Sequence, residues 1–527
     1  MPNIKTFEFN KCKFEEIKKF SFGFNWPVVY LIEDGKEVYI GESVNVYMRS
    51  NQHYEKPERR RLNNIHIIND EEYNKSATLD IESSLIQYIS ADGKFILQNG
   101  NNGLKNHNYF DRQKYQAKFE IIWQKLKKMK LVQNDLDQIR NSDLFKYSPY
   151  KALTIDQKMV ANELINEIKS GKAGSYIVNG APGTGKTILA TYLFKRLKEI
   201  EETKDLNVGL VVPMTGLRGT LKKIFKNIKG LSANMVIGPS DVTRGYDILI
   251  VDEAHRLKQR KNITNYKSFD DNNKLLKLDF NSTELDWILK CSKNQILFYD
   301  KNQSVRPSDI NPRVFEELFS KKFELRSQLR VGGIDGEKYI LFVQNLLDSL
   351  KVNNEFFNDY DFKIYDNIGC MVEDIKKKNS QMDLCRIVSG YAWPWFSKKN
   401  PNQHDIEIDD VKLKWNSTIN NWVYSHNAIN EVGCIHTIQG YDLNYAGVII
   451  GPEIYYDIEE KKIKIHPEKY MDMNGKRGVE DRDELERYII NIYKTLLTRG
   501  IYGTYVYVVD KNLRNYFKDK LSIKNNN

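Results

Sequence analysis

Ser175–Leu189 reads S-Y-I-V-N-G-A-P-G-T-G-K-T-I-L. An apolar run, Tyr176–Val178, enters a glycine-rich turn that ends in Gly185-Lys186-Thr187 and opens an apolar helix. G-x-x-x-x-G-K-[ST] between a strand and a helix is the phosphate-loop pattern. Gly180, Gly183 and Gly185 let the backbone curl until its N–H groups converge on phosphate oxygens, and the helix N-terminus adds partial positive charge. Lys186 is placed to reach β- and γ-phosphates, and the Thr187 hydroxyl to ligate Mg2+. Farther on, Y-D-I-L-I-V-D-E-A-H is an apolar strand ending in Asp252-Glu253. That pair fits the second nucleotide motif: Asp252 to hold Mg2+ through water, Glu253 to orient or deprotonate the attacking water. The expected ligands are ATP and Mg2+. His255 reads as a coupling residue, because no second metal ligand is spaced with it.

The first hundred residues carry a second set. Val28–Ile32 and Val38–Ile40 flank Glu33-Asp34-Gly35-Lys36, and Asp-Gly between apolar runs predicts a hairpin. Tyr30 and Tyr39 stand one on each strand. Arg49 and His53 follow at i, i+4, one face of a helix. Glu82 lies on an amphipathic helix over 77–89, and Asn99 comes after it. As ordinary residues, the tyrosines would be half-buried strand positions, Glu82 a solvent-facing carboxylate, and Arg49 and His53 a surface helix.

In that order, over about residues 24 to 103, the set resembles the GIY-YIG nuclease domain. Val28-Val29-Tyr30 stands at the first triplet and Tyr39-Ile40-Gly41 at the second; Ser43…Asn45…Arg49…His53 matches the following helix. Val28 replaces the first triplet's glycine. The resemblance implies metal-assisted phosphodiester hydrolysis. Glu82 would hold Mg2+, Tyr39 or Tyr30 would help deprotonate or orient water, Arg49 would stabilise phosphoryl charge, and His53 would position or relay a proton. Asn99 stands where that family has a late asparagine.

Across residues 151–527, apolar strands and helices alternate, which implies doubly wound parallel sheets. Strand 208–213 ends in Pro213-Met214-Thr215, either a contact for a nucleic-acid backbone or a plain loop. Ordered motifs accompany the strands: Gln157 upstream of the phosphate loop, Gln303 after a strand ending in Asp300, Arg330 in L-R-S-Q-L-R, Gln439-Gly440 in I-H-T-I-Q-G-Y-D, and Arg499 before a strand over 505–509. With Lys186 and Asp252-Glu253, this set resembles the Schlafen-type (group 3-like) ATPase/helicase family, a branch of superfamily 1. The resemblance implies two RecA-like lobes with ATP in the cleft. It implies that Gln157 reads adenine, that Gln303 senses the γ-phosphate, that Arg330 reaches the nucleotide from the other lobe, and that Arg499 is an arginine finger. Gly390–Trp395 also looks like that family; its aromatics are either packing or a base-stacking platform.

The whole chain sets the frame. Its 527 residues are too many for one core. Hydrophobic residues at 41% and charged residues at 28% are ordinary for a soluble globular protein. There is no apolar run long enough to span a membrane, and residues 1–22 lack a signal-peptide core, so the cytoplasm is the expected location. Five scattered cysteines, never C-x-x-C, argue against zinc or a disulfide framework. Net charge is +10, a mild excess compatible with nucleic acid and equally with solvated surface. The expected organisation is α/β: a small α+β GIY-YIG-like nuclease domain (1–105), a helical connector (106–150), and two RecA-like doubly wound parallel-sheet lobes (151–330 and 331–527). The connector's Phe119, Ile122, Trp123, Leu126 and Met129 at helical spacing read as packing, with a DNA-contacting basic face as the alternative. Residues 256–285 read as an exposed polar insertion.

The leading function is an ATP-driven DNA translocase or helicase fused to a Mg2+-dependent endonuclease, suited to defence against foreign DNA or to repair. One rival is an ATP-switched nucleic-acid-binding protein whose first domain docks without cutting. Another is an RNA-directed helicase-nuclease.

Overall fold

The computed structural model describes residues 1–99, 109–331, 336–350, 352, 357–418, 421–438 and 440–521. The chain divides into two compact units: Met1–Ile165 with Ile188–Asp205 and Thr220–Val236, and Asn166–Thr187 with Leu206–Gly219 and Ile237–Asn527.

The first unit is built on a five-stranded sheet, β1 (Asn3–Glu8), β2 (Val28–Glu33), β3 (Glu37–Ser43), β4 (Asn64–Asn69) and β5 (Ile96–Leu97), in the order β1-β4-β2-β3-β5. The β2–β3 hairpin turns where Asp-Gly stands. Gly35 takes φ +87, and the Asp34 carboxylate accepts from Lys36 N at 2.9 Å and Glu37 N at 2.7 Å. The register sets Tyr30 opposite Gly41. A Cβ at Gly41 would stand 2.4 Å from the Tyr30 hydroxyl, so the second triplet needs its glycine to admit the first triplet's tyrosine. Helix Val46–Tyr54 starts on Asn45, whose side chain caps Met48 N, and helix Lys75–Asp92 starts on Asn74, which caps Ala77 N.

The helix Arg112–Lys128 buries Tyr115, Phe119, Ile122, Trp123 and Leu126. Four of its lysines have partners in the same unit, Lys114 meeting Glu72 at 2.6 Å. Lys118 pairs with Asp70 at 3.0 Å and with Glu72, Lys125 donates to Pro2 O at 2.6 Å, and Lys127 pairs with Asp135 at 2.5 Å. The packing reading of this segment is the one its contacts support.

The second unit holds two sheets. The first comprises β6 (Gly174–Gly180), β7 (Val208–Val211), β8 (Val236–Ile237), β9 (Tyr246–Val251), β10 (Ser292–Tyr299) and β11 (Lys321–Leu325), in the order β11-β6-β10-β9-β7-β8. β6 runs parallel to both β10 and β11, and β9 parallel to β10 and β7. The second comprises β12 (Asp361–Tyr365), β13 (Cys385–Ser389), β14 (Ile406–Ile408), β15 (Val411–Trp415), β16 (Glu431–Cys434), β17 (Leu443–Ile450) and β20 (Gly500–Val508), in the order β12-β20-β17-β13-β16-β15-β14. It is parallel except for the antiparallel β14–β15 pair. A separate hairpin, β18 (Ile454–Asp457) and β19 (Lys462–Ile465), follows β17. Every residue of β13 and β17 is buried, as expected of parallel strands covered on both faces.

One local reading changes, and one open alternative is decided. Residues 256–285 are not a bare insertion: Asn265 caps a helix, Tyr266–Leu275, whose Phe269 ring packs 4.6 Å from that of Trp287, while Asn273 accepts from Trp287 Nε1 at 2.5 Å. Tyr391, Trp393 and Trp395 gather around the buried Trp415, Tyr391 stacking on it at 5.4 Å. That is core packing, not an open stacking platform. All five cysteines are free thiols, Cys12 and Cys370 exposed and the other three buried. Among the described residues no helix is long and apolar enough to cross a membrane.

Candidate functional site

β6 ends at Gly180, and the helix Lys186–Glu199 begins at the lysine of the motif. Gly183 and Gly185 between them take φ +85 and +75. Gly183 also has no room for a side chain: a Cβ there would lie 1.9 Å from Gln328 Oε1 and 2.8 Å from Arg330 Cβ. The cause is the segment 328–330, which lies directly on the loop. Gln328 Nε2 donates to Pro182 O at 2.7 Å, Leu329 N donates to Gly183 O at 2.8 Å, and Arg330 N donates to Gln328 Oε1 at 2.9 Å. Arg330 follows β11, so the first sheet of this unit carries it; its guanidinium Nε donates to Asp442, which stands just ahead of β17 in the second sheet.

The Lys186 ammonium donates to Gly180 O at 2.6 Å and Ala181 O at 3.2 Å, and lies 3.5 Å from Asp300 Oδ2. The same Asp300 oxygen accepts from Gln303 Nε2 at 2.7 Å, and Gln303 Oε1 accepts from Arg499 Nη2 at 3.3 Å. Lys186, Asp300, Gln303 and Arg499 thus form one chain of polar contacts, all four buried.

Asp252 is fully buried beside Thr187 and Lys186. Burial raises its carboxyl, and the neighbouring Glu253 charge raises it further. Thr187 and Lys186 favour its charged form, yet neither of its buried oxygens completes a hydrogen bond. Two orphaned carboxylate oxygens beside a threonine hydroxyl fit a hard cation that takes oxygen ligands. Burial also acts to raise Glu253, but His255, 3.0 Å away, with Lys186 and Arg499, outweighs it and holds Glu253 low. Glu253 sits at φ +55, a strained conformation for a non-glycine residue. His255 therefore stands against the Glu253 carboxylate. Gln157 is buried in the first unit, its Oε1 accepting from Thr154 N at 3.1 Å. Gly440 takes φ +89; Gln439 lies outside the described residues.

A cleft of about 260 Å3 in the second unit is lined by Pro213, Met214, Thr215, Arg256, Lys258, Arg306 and His436. Burial, and then Arg306, lower His436 to about 4 against the opposing Asp472, which it meets at 2.7 Å. Arg256 is paired with Asp309 at 2.6 Å.

The residues singled out in the first hundred also converge. Tyr30 is buried, not half-buried, and its hydroxyl lies 2.8 Å from His53 Nε2. The Tyr39 ring lies 4.6 Å from the His53 ring, and Arg49 faces both phenols. Burial pushes the Tyr30 phenol well above its ordinary value. Burial likewise lowers His53 to about 3, with Arg59, Arg49 and Lys56 adding to it, so the imidazole is neutral. Arg59 donates to His53 Nδ1. A neutral imidazole accepting at Nδ1 carries its proton on Nε2 and donates it to the Tyr30 oxygen. Glu82 is not solvent-facing. Burial, then the nearby Glu42 charge, push it up to about 7 against Lys75 and Arg49, and Lys75 pairs with Glu42 at 2.5 Å. A partly buried carboxyl crowded by another fits a divalent cation, which would relieve both. Among the described residues no group of three or more His, Cys, Asp or Glu converges as a metal site. A cation at either place would share its coordination with phosphate oxygens and water.

Asn99 changes role. Its Oδ1 accepts from Ile40 N at 3.0 Å and its Nδ2 donates to Ile40 O at 2.7 Å, so it pins β3 and is a positioning residue, not a catalytic one. Val28 is buried in the hydrophobic core opposite Ser43. Sequence reasoning assigned nothing to Arg59, Glu42, Asp300 or Asp442. Asp300 and Asp442 stand inside motifs already quoted. Arg59 is one of three consecutive arginines, with no signal to single it out.

The Schlafen group 3, DNA/RNA helicase domain family matches residues 174–510. The uncharacterized protein YPL245W of Saccharomyces cerevisiae is 28% identical over 394 residues, 64% of this chain and 82% of that protein. Among solved structures, Pif1 helicase from Candida albicans is similar at 11% identity and TM-score 0.28, covering 70% of this chain and 99% of that one. Pif1 helicase from Bacteroides in complex with ADP-AlF3 and single-stranded DNA is similar at 12% identity and TM-score 0.29, covering 67% and 92%.

Proposed function

This chain belongs to the Schlafen group 3 DNA/RNA helicase domain family, and from that membership we propose an ATP-driven DNA translocase or helicase fused to a Mg2+-dependent endonuclease. Residues 151–330 and 331–527 are the two lobes of the motor, and residues 1–105 are the nuclease. The observation that carries the motor is the polar chain Lys186–Asp300–Gln303–Arg499. It joins the phosphate-loop lysine to an arginine on the second lobe, so γ-phosphate chemistry and lobe movement share one set of contacts. Thr187 and Asp252 are the groups to hold Mg2+, which neutralises phosphate charge when bound. Glu253 orients or deprotonates the attacking water, and Arg330 and Arg499 stabilise charge on the phosphoryl oxygens. The cleft lined by Pro213–Thr215, Arg256, Lys258 and Arg306 supports a strand held by its phosphates.

In the first domain, Glu82 would hold the metal, which would supply Lewis-acid chemistry at the scissile phosphate. Arg49 stabilises the phosphoryl oxygens. Tyr39 is the better water-orienting phenol, because Tyr30 is buried and receives the His53 proton. DNA is favoured as substrate, and defence against foreign DNA or repair is the proposed setting.

The test is plasmid DNA with Mg2+, with and without ATP, using the wild type, Glu82→Ala and Lys186→Ala. Cutting by the wild type that Glu82→Ala loses, together with ATP turnover that Lys186→Ala loses, supports the fusion. DNA-stimulated ATP turnover without cutting under any condition would leave an ATP-switched binding protein with a docking domain. Cutting of RNA alone would redirect the substrate.

A further inference from the structure

Arg330 touches two things at once. Its backbone belongs to the segment laid on Gly183, and its side chain crosses to Asp442, two residues beyond Gly440 and just ahead of β17. Both side chains are mostly shielded from solvent, 15% and 19% exposed, so water screens the pair only in part. A guanidinium is planar and presents its N–H groups in a fixed fork. With Nε engaged by Asp442, the direction of the remaining hydrogens is set. The Nη1 nitrogen is buried and makes no hydrogen bond. A buried cationic donor without an acceptor is costly, and here it stands next to a loop built to hold phosphate.

We infer that Asp442 is the positioning residue for Arg330, orienting the guanidinium so that Nη1 meets the terminal phosphate of a nucleotide on the Gly183–Lys186 loop. The inference rests on the ATPase reading above. It adds a partner for Arg330 that comes from the other sheet. Because Asp442 leads into β17, the second lobe then sets the aim of an arginine that the first lobe carries, and lobe closure and phosphate contact become one event. The opposite role, Asp442 holding Arg330 away from the nucleotide, predicts the opposite sign and is separated by the same measurement.

The test is steady-state ATP hydrolysis by the full chain with single-stranded DNA, comparing the wild type with Asp442→Asn, Asp442→Glu, Arg330→Ala and Arg330→Ala/Asp442→Asn, with melting temperatures for each. Losing orientation without losing the arginine lowers kcat about 10-fold for Asp442→Asn, with KM for ATP within about twofold. Arg330→Ala falls further. The double variant is no worse than Arg330→Ala, since Asp442 acts only through it. Asp442→Glu, which keeps the carboxylate, recovers part of the loss. Faster turnover by Asp442→Asn, or a double variant whose loss is the product of the two single losses, overturns the inference. A folded Asp442→Asn with wild-type kcat overturns it as well. Should the wild type turn over no ATP, or Lys186→Ala match it, the ATPase reading itself fails, a result distinct from these.

Discussion

Arg499 Nη2 donates to Gln303 Oε1 at 3.3 Å across 196 residues of sequence. Gln303 in turn donates to Asp300, which faces Lys186. A glutamine amide offers a donor at one end and an acceptor at the other, which lets it stand between a carboxylate and a guanidinium. Either terminal charge can then be felt at the other through a side chain that carries none.

That relay predicts unequal losses. Arg499→Ala lowers kcat for ATP by about 10³-fold or more, as expected for a cation that stabilises the transferring phosphoryl group. Gln303→Ala removes only the orienting link and costs about 10- to 100-fold. Combining them costs little beyond Arg499→Ala alone. Steady-state ATPase assays read all three; a Gln303→Ala enzyme at wild-type rate would show the relay to be idle.

Gly183 and Gly35 separate two reasons for a glycine. Their φ values are +85 and +87, but a Cβ at Gly35 meets nothing within 4 Å, whereas at Gly183 it meets Gln328 and Arg330. Gly35→Ala costs the left-handed conformation alone, about 1 kcal/mol. Gly183→Ala adds overpacking, for a total of about 3 kcal/mol or more, and displaces the 328–330 segment. Urea unfolding measures the first difference, and nucleotide titration the second.

Val28 stands where the resembled nuclease family has glycine. Since Val28 is buried and its strand pairs in register through Ser43, Val28→Gly removes a core side chain and loosens a strand. It destabilises by about 3 kcal/mol and does not increase plasmid cutting. A gain in cutting would show that the valine blocks the site.

Glu453 predicts a pH signature. It is fully buried and its carboxyl is raised to about 7 by that burial, the Tyr493 hydroxyl opposing at 2.6 Å. A carboxyl raised in the folded state contributes stability that is fully present below its unfolded pKa, near 4.5, and lost as pH rises through 7. Glu453→Gln keeps an acceptor for Tyr493 and does not ionise. The variant is therefore more stable than wild type at pH 8, by up to about 3 kcal/mol, with the gap closing toward pH 4.5. Unfolding at both pH values decides it; a gap independent of pH would mean that folding does not raise the Glu453 carboxyl.

What the sequence determined by itself was local and ordered. Strand-loop-glycine-lysine at 175–187 fixes a phosphate loop because the backbone must curl between two apolar elements. Asp-Gly at 34–35 fixes a hairpin because only that turn closes the register. Alternation of apolar strands and helices set the parallel sheets, and motif order placed Gln303 and Arg499 in one protein. Spacing along a chain carries no information about which side chain faces which across a fold. Only tertiary structure set the Arg330 side chain, carried after β11, against Asp442 ahead of β17. Only packing turned Asn99 toward Ile40 and the tryptophans toward Trp415. Only burial in the first unit's core made Tyr30 a partner of His53, leaving Tyr39 half-buried beside the same ring.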